Sequence, residues 1–317
     1  MSVDRENTEP GTTGDARRSD DAGGPSAPAE PRWRETLGIL LGNKLAVFSL
    51  LMLALLVVAA LFGSLLAPYG PNEVAVENRL QGPSGAYWLG TDELGRDVLS
   101  RVVLGASVSL QVGFVAVGIA LFAGVPLGLV AGYYGHLVDD AVMRSMDVLF
   151  AFPAILMAIA VLAILGPGTT NAMIAVGIVY TPIFARITRA SVLTVREEVY
   201  VRAARASGAS DLRILRLHVL PNVAAPIIVQ TSVSLAFAIL SEAALSFIGL
   251  GAQPPRPSWG RMLADGRGFI EQAWWIGFFP GLAIFLTVLS FNLLGDALRD
   301  ALDPRQRSAI QSMGVTA

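Results

Sequence analysis

The sequence has 317 residues, of which 53% are hydrophobic and only 15% are charged. A soluble globular chain carries about 25% charged residues, so this composition predicts an integral membrane protein. The near-neutral balance of 23 basic and 25 acidic side chains offers no basic stripe for nucleic acid, and the lack of cysteine excludes disulfides and thiolate metal sites.

The amino-terminal region changes character near residue 32. Residues 1–31 are rich in Gly, Pro, Ser and acidic side chains, and this composition predicts a disordered tail. Segment 32–44 places Trp33, Leu37 and Leu40 at helical spacing, which predicts an interfacial helix, with a continuation of the tail as the alternative. The basic start and cleavage site of a secretory signal are missing, so we expect no such signal.

Six apolar runs predict an all-α membrane protein, because a helix needs roughly 20 apolar residues to cross a hydrocarbon core of about 30 Å. The predicted spans are 45–67, 104–133, 147–165, 172–190, 223–250 and 273–295. An extracytoplasmic segment at 68–103 precedes a core transmembrane domain at 104–298. This core contains a cytoplasmic loop at 191–222, and a cytoplasmic tail is predicted at 299–317.

Glycine and alanine in this core predict one tight turn and one close helix contact. The cluster Gly166-Pro167-Gly168 predicts a tight hairpin between the third and fourth spans. Five small residues recur at every fourth position of the second span: Ala116, Ala120, Gly124, Gly128 and Gly132. Such a seam lets another helix come close, either within this chain or on another subunit.

The distribution of arginine predicts the orientation, because short cytoplasmic loops are enriched in basic residues. With the amino end inside, seven arginines between residues 186 and 216 lie on the cytoplasmic side. Both termini are therefore predicted to be cytoplasmic.

The arginine-rich loop has the pattern of two short helices. Residues 197–207 have helix-forming composition, and Gly208 suits the left-handed turn that ends a helix. Ser210 has the chemistry to cap a second helix, Asp211 suits its first turn, and Pro221 is predicted to end it.

The surface of this loop suits a partner protein. Arg202-Ala203-Ala204 offers small side chains that allow close approach, and the apolar Leu212, Leu215 and Leu217 can fill a groove. The alternative is a solvated loop held to anionic lipid by its arginines.

The spacing of this loop resembles the "EAA" coupling motif of binding-protein-dependent ABC importer permeases. Gly208 follows Arg202-Ala203-Ala204 by three intervening residues, and nine more precede His218-Val219-Leu220-Pro221. Arg202 stands where the motif usually has Glu, and His218 where Ile is typical. The resemblance implies a coupling loop, at 191–222, that docks on a separate ATPase through Arg202, Ala203, Ala204, Gly208, Ala209, Ser210, Leu220 and Pro221.

Three further segments resemble the dipeptide, oligopeptide and nickel permeases, in the order of their C-type subunit. The first, residues 89–97, contains Gly90, Thr91, Asp92, Gly95, Arg96 and Asp97; we call it the external motif. The others are 246–251 with Ser258-Trp259-Gly260, and 302–305. The resemblance implies a type I ABC importer permease fold, MetI-like, and peptide cargo, with nickel or oligosaccharides as alternatives.

The same resemblance implies several partners: a B-type sister permease, two ATPase subunits, an extracytoplasmic substrate-binding protein and membrane lipid. Lys44, the only lysine, is not followed by the Ser or Thr of a glycine-rich phosphate loop. We therefore expect no catalytic residue, cofactor or metal site in this chain. The rival classes are an ion-coupled secondary transporter and a membrane scaffold. A secondary transporter needs paired interrupted spans in two halves of the chain, and the sequence shows no such repeat.

Several polar residues have two possible roles. Glu242 lies within a span, about 12 Å from the helix end at Leu250, where a carboxylate is a functional candidate by default. It lines a substrate path or contacts the sister subunit. Asp92, Arg96 and Asp97 either fasten the external motif by charge-assisted bonds or meet the binding protein.

Residues near the ends of the spans have simpler interpretations. Asp147, beside Arg144, is interpreted as a boundary charge. Trp259, Trp274 and Trp275 are interpreted as interfacial anchors.

Overall fold

The computed structural model of the protein describes residues 38–302. The predicted tail at 1–31, residues 32–37 of the predicted interfacial helix and residues 303–317 of the carboxyl-terminal tail lie outside that range. Within it, residues 38–42 are helical, and β pairing is limited to one isolated bridge between Thr91 and Asp97. The predicted all-α class is confirmed.

The helices follow one another with short connections. In chain order they are α1 (Lys44–Leu66), α2 (Val98–Tyr134), α3 (His136–Phe150), α4 (Ala154–Leu165), α5 (Thr169–Val195), α6 (Val199–Ala206), α7 (Asp211–Ile214), α8 (Leu220–Phe247), α9 (Trp259–Gly266) and α10 (Trp275–Leu302). Single 3-10 turns lie at Val76–Asn78 and Arg267–Phe269. A π turn at Leu215–Val219 joins α7 to α8, so that Asp211–Phe247 is one unbroken helix.

Five of these helices are long and apolar enough to cross a membrane, and α3 with α4 adds a sixth crossing if this bent pair counts as one span. The predicted span at 147–165 is not one continuous helix, because α3 and α4 meet at 90°. Pro153 explains the break: it lacks the amide donor that would continue α3, and it disfavours helical geometry at Phe152. At 12 residues, α4 is only about 18 Å long and cannot cross the bilayer alone.

Other helices are longer than the sequence suggested. The second span begins at Val98 rather than near 104, since the Asp97 side chain caps it by accepting the Ser100 amide. At the other end of the chain, α10 continues to Leu302, past the predicted end at 295. Both helices therefore extend beyond a hydrocarbon core of about 30 Å.

The most extensive helix pair is α2 with α5, and the small-residue seam forms their contact. A methyl group built on Gly124 would lie 2.7 Å from the Phe184 Cβ, and one on Gly132 would lie 2.8 Å from the Val192 Cβ. The neighbour of the seam is thus a helix of the same chain. Around this pair, α8 packs against α2, α5 and α10, while α1 lies against α2 and α10.

The seam generates a matched pair of variants. A methyl group on Gly128 would lie 2.7 Å from the Thr188 Cβ, whereas one on Gly118, also in α2, meets nothing within 4 Å. Both Gly→Ala changes gain helix propensity, but only Gly128→Ala forces the two helices apart, at a cost of about 1–3 kcal/mol. Thermal unfolding of the purified protein should show Gly128→Ala below wild type and Gly118→Ala at or above it. Equal melting temperatures for the two variants would contradict this packing.

Candidate functional site

The two sequence motifs lie at opposite ends of α2. This helix has 37 residues and is therefore about 55 Å long. The external motif immediately precedes its first turn, and Tyr133 in its last turn touches the coupling loop through Asp211. The molecule therefore has two candidate sites, one at each end of the bundle.

Gly208 closes the first helix of the coupling loop, as predicted from the sequence. It has φ of +78°, and the amides of Gly208 and Ala209 donate to the carbonyls of Arg205 and Ala204 at 3.0 and 3.1 Å. A left-handed residue at this position is the usual helix ending, for which glycine carries the least penalty. No atom lies within 4 Å of a Cβ built there, so the requirement for glycine is one of backbone conformation.

The second half of the loop departs from the expected pattern. Ser210 occupies the N-cap position of α7, but its side chain makes no capping hydrogen bond. The prediction that Pro221 ends the second helix is wrong. Pro221 is the second residue of α8, which follows the π turn. The wider π turn loosens the backbone pairing just where proline cannot donate. The coupling loop therefore continues directly into a span.

The coupling-loop residues face two directions. Ala204 and Ala209 are half-buried and pack against the hydrophobic core, which differs from the surface position expected for Ala204. Arg202, Ala203, Gly208, Ser210, Leu220 and Pro221 are exposed. Leu212 is 75% exposed, and exposed apolar side chains beside arginines form a mixed basic and apolar surface that suits a protein partner.

Asp92 is the centre of the external motif. Its Oδ1 accepts the amides of Leu94 and Arg96, both at 2.9 Å, and its Oδ2 accepts from Arg96 Nε at 2.6 Å. The buried Arg101 guanidinium lies 3.5 Å away. A Cβ on Gly95 would lie 2.6 Å from the carbonyl carbon of Ala75, so the turn has no room for a side chain.

The rest of the motif ties this turn to two helices. Asp97 accepts the Ser100 amide at 2.7 Å at the start of α2. The Trp275 Nε1 donates to the Thr91 carbonyl at 3.0 Å and reaches the motif from α10. A Cβ on Gly90 would lie 2.6 Å from that same nitrogen. The structure thus brings all six motif residues together in an internal fastening.

The tryptophans play different parts from those expected. Trp259 and Trp275 are buried, and their indole nitrogens donate to the carbonyls of Val102 and Thr91 at 2.9 and 3.0 Å. Interpreting these two as interfacial anchors is therefore wrong. Trp274 is 51% exposed and keeps the amphipathic position that an anchor requires.

Glu242 contacts residues of its own chain. The Ser246 hydroxyl donates to its Oε1 at 2.6 Å, the Ser109 hydroxyl donates to its Oε2 at 3.4 Å, and the carboxylate is 1% exposed. Ser246 also accepts the amide of Ala252 at 2.8 Å. The carboxylate therefore links α2, α8 and the loop after α8, which is neither of the two roles weighed from the sequence.

Sequence reasoning missed Tyr133 and the partner of Asp147. Tyr133 is buried at the coupling loop, but a tyrosine near the end of a span looks the same as a lipid anchor in the sequence. Asp147 pairs with Arg186 of α5 at 2.6 Å. No cluster of three or more His, Asp or Glu side chains able to hold a metal is found within residues 38–302.

Comparisons with known proteins bear on both ends of the molecule. Residues 124–308 match the family "Binding-protein-dependent transport system inner membrane component", and residues 32–83 match the "N-terminal TM domain of oligopeptide transport permease C". The chain belongs to this family of transport permeases. Its members are permease subunits of ABC importers and are not enzymes, since the ATPase is a separate subunit.

Relatives cover nearly the whole chain. The dipeptide transport system permease protein DppC of Alkalihalophilus pseudofirmus is 51% identical over 276 residues, which are 87% of this chain and 91% of that protein. The di/tripeptide transport system permease protein DppC of Pseudomonas aeruginosa is 48% identical, covering 84% and 90%. The glutathione transport system permease protein GsiD of Pectobacterium atrosepticum is 47% identical, covering 87% and 92%.

Solved structures of lower identity share the fold. Two inward-facing crystal forms of the MetNI methionine ABC transporter match with TM-scores of 0.51 and 0.52, at 19% and 20% identity. They cover 64% and 65% of this chain and 97% and 98% of theirs. The expected MetI-like fold is confirmed.

The external motif predicts a pH-dependent stability. Burial, and next the Asp92 carboxylate, raise the pKa of Glu93 above its ordinary value, while Arg96 opposes this. A raised folded-state pKa means that stability present below the ordinary pKa is lost as the pH rises through the folded value. Glu93→Gln should therefore raise the melting temperature at pH 8 but not near pH 4. The control Glu77→Gln, at an exposed position, should leave the melting temperature unchanged at both pH values. A uniform shift at both pH values would contradict the assignment.

Proposed function

We propose that this chain is the C-type permease of an importer for short peptides, which forms half of the translocation path and receives work through the coupling loop. The observation that carries the proposal is the exposed α6–Gly208 turn on a member of this permease family. Support for peptide cargo comes from relatives named as dipeptide, di/tripeptide and glutathione permeases. At 47–51% identity, these relatives favour peptides over nickel or oligosaccharides.

The proposed partners follow from the two ends of the molecule. Two ATPase subunits bind the assembled transporter at the coupling loops, and the exposed Arg202 and Leu212 of this chain lie on the docking surface. A B-type sister permease completes the translocation path within the lipid bilayer. On the opposite side, a substrate-binding protein delivers cargo near the external motif, which provides a rigid support for that encounter.

The proposed orientation places both termini and the coupling loop in the cytoplasm. The seven arginines between 186 and 216 support it, because basic residues concentrate in short cytoplasmic loops. Since α2 begins at the external motif and ends at Tyr134, beside the coupling loop, this orientation also puts the external motif on the extracytoplasmic side.

In the proposed mechanism, closure of the ATPase subunits around ATP pushes on α6, and the spans rock between inward-open and outward-open states. Binding can shift this equilibrium only if the ATPase contacts the coupling loop differently in the two states. Gly208 matters here because its turn fixes the angle between α6 and α7. Glu242 serves this mechanism as a link that keeps α2 and α8 moving together.

Vesicles containing the complete transporter test the proposal. Gly208→Val should reduce ATP-dependent uptake of a labelled dipeptide several-fold without loss of membrane insertion, because a β-branched residue disfavours the left-handed turn. Gly249→Val is a matched control for ATPase binding: Gly249 also has positive φ and open space around it, but it lies in the extracytoplasmic loop of the proposed orientation. Unchanged uptake and ATPase binding in Gly208→Val would remove the turn from the mechanism.

The same experiment distinguishes the importer from the rival secondary transporter. ATP-dependent uptake supports the importer, whereas uptake driven by an ion gradient without ATP supports the rival. Neither activity in a fully assembled complex would leave a scaffold.

A further inference from the structure

One aromatic side chain connects α2 to both helices of the coupling loop. The Tyr133 hydroxyl donates to Asp211 Oδ1 at 2.8 Å. The guanidinium carbon of Arg205 lies 5.1 Å from the centroid of the same ring, within the range of a cation–π contact. Because Arg205 precedes Gly208 and Asp211 follows it, Tyr133 touches the loop on both sides of its turn.

The backbone at the end of α2 is held as well. Arg196, which directly follows α5, donates from Nη1 to the Gly132 carbonyl at 2.7 Å. A cation bonded to the last carbonyls of a helix is a favourable ending, because those carbonyls have no partner within the helix. The ends of α2 and α5 are therefore joined where the coupling loop begins.

The direct path from α6 into the bilayer is less regular. It passes through the Gly208 turn and then through the π turn at Leu215–Val219 before it reaches α8. A π turn interrupts the α-helical bond pattern and often marks a point of adjustment. A displacement of α6 can be absorbed at the π turn, whereas a lateral contact carries it to α2 without crossing that turn.

We propose that Tyr133 is the positioning residue that transmits movement of the coupling loop to α2, and through the α2–α5 seam to the α2–α5 pair. This inference rests on the proposed function. The Tyr133 hydroxyl couples α2 to α7, and its ring couples α2 to α6. A push on α6 therefore moves the α2–α5 pair as one body, because the two helices are in close contact along the seam and Arg196 joins their ends.

The contact is suited to transmission more than to folding. Asp211 is exposed, so water can replace the Tyr133 hydroxyl as the partner of its carboxylate, which limits the cost of losing the bond. Variants that remove this bond should therefore insert and assemble normally. The Tyr133 ring itself is buried, so a change that keeps the ring is required.

The experiment uses the complete transporter in vesicles and measures dipeptide imported per ATP hydrolysed. Tyr133→Phe keeps the ring beneath Arg205 and removes the hydroxyl, while Asp211→Ala removes the acceptor. Asp211→Asn keeps an acceptor oxygen. Tyr134→Phe changes the neighbouring tyrosine, which is 49% exposed, and serves as the matched control.

We expect Tyr133→Phe and Asp211→Ala each to lower the transport ratio several-fold while ATP hydrolysis and subunit assembly stay near wild type. The double variant should be no worse than either single variant, because both remove the same interaction. Asp211→Asn should retain most of the ratio, and Tyr134→Phe all of it.

Three outcomes overturn the inference. An unchanged ratio in Tyr133→Phe or Asp211→Ala removes the transmission role, and so do losses that simply add in the double variant. These leave the proposed function intact, because wild type still couples. A wild-type complex that binds no ATPase or imports no dipeptide with ATP overturns the proposed function and this inference together.

Discussion

The close approach of α2 to α5 is the contact on which the rest of the structure depends. Within a bilayer, water does not drive helices together, so tight van der Waals packing must do so. Gly124, Gly128 and Gly132 meet that requirement, since a methyl group at any of them would collide with α5. Both candidate sites are attached to this helix pair.

The external motif fixes the beginning of α2. Asp92 gathers two amides and an arginine in one turn, and Asp97 begins α2. Because Trp275 bonds to Thr91, the same turn also holds α10. The coupling loop fixes the other end, through Tyr133 and Arg196. The two candidate sites are thus linked by α2, which is about 55 Å long and packs along α5.

Rules that use only neighbouring residues in the sequence correctly predicted the features that those residues determine. Apolar length located the spans, the spacing of small residues located the seam, and the glycine rule located the turn at Gly208. Those rules failed where a long-range contact or a backbone adjustment decides the outcome. Pro153 bends a run that hydropathy alone reads as continuous, and Pro221 is accommodated because a π turn precedes it.

Tertiary partners explain the remaining misses. Nothing in the sequence indicates that Trp259 donates to Val102, or that Glu242 finds a hydroxyl donor in Ser109. Each is an interaction between distant or differently oriented segments, invisible to periodicity. Tyr133 belongs to the same class, since its role depends on Asp211 lying beneath the end of α2.

The central claim is that the coupling loop faces the cytoplasm and binds the ATPase. The wild-type chain contains no cysteine, so Ser207→Cys, in the loop, and Gly85→Cys, before the external motif, each provide one labelling site. A membrane-impermeant maleimide should label Ser207→Cys only in inverted vesicles, with protection when ATPase subunits are bound, and Gly85→Cys only in right-side-out vesicles. Labelling of Ser207→Cys from outside, or labelling that bound ATPase does not reduce, would contradict the account.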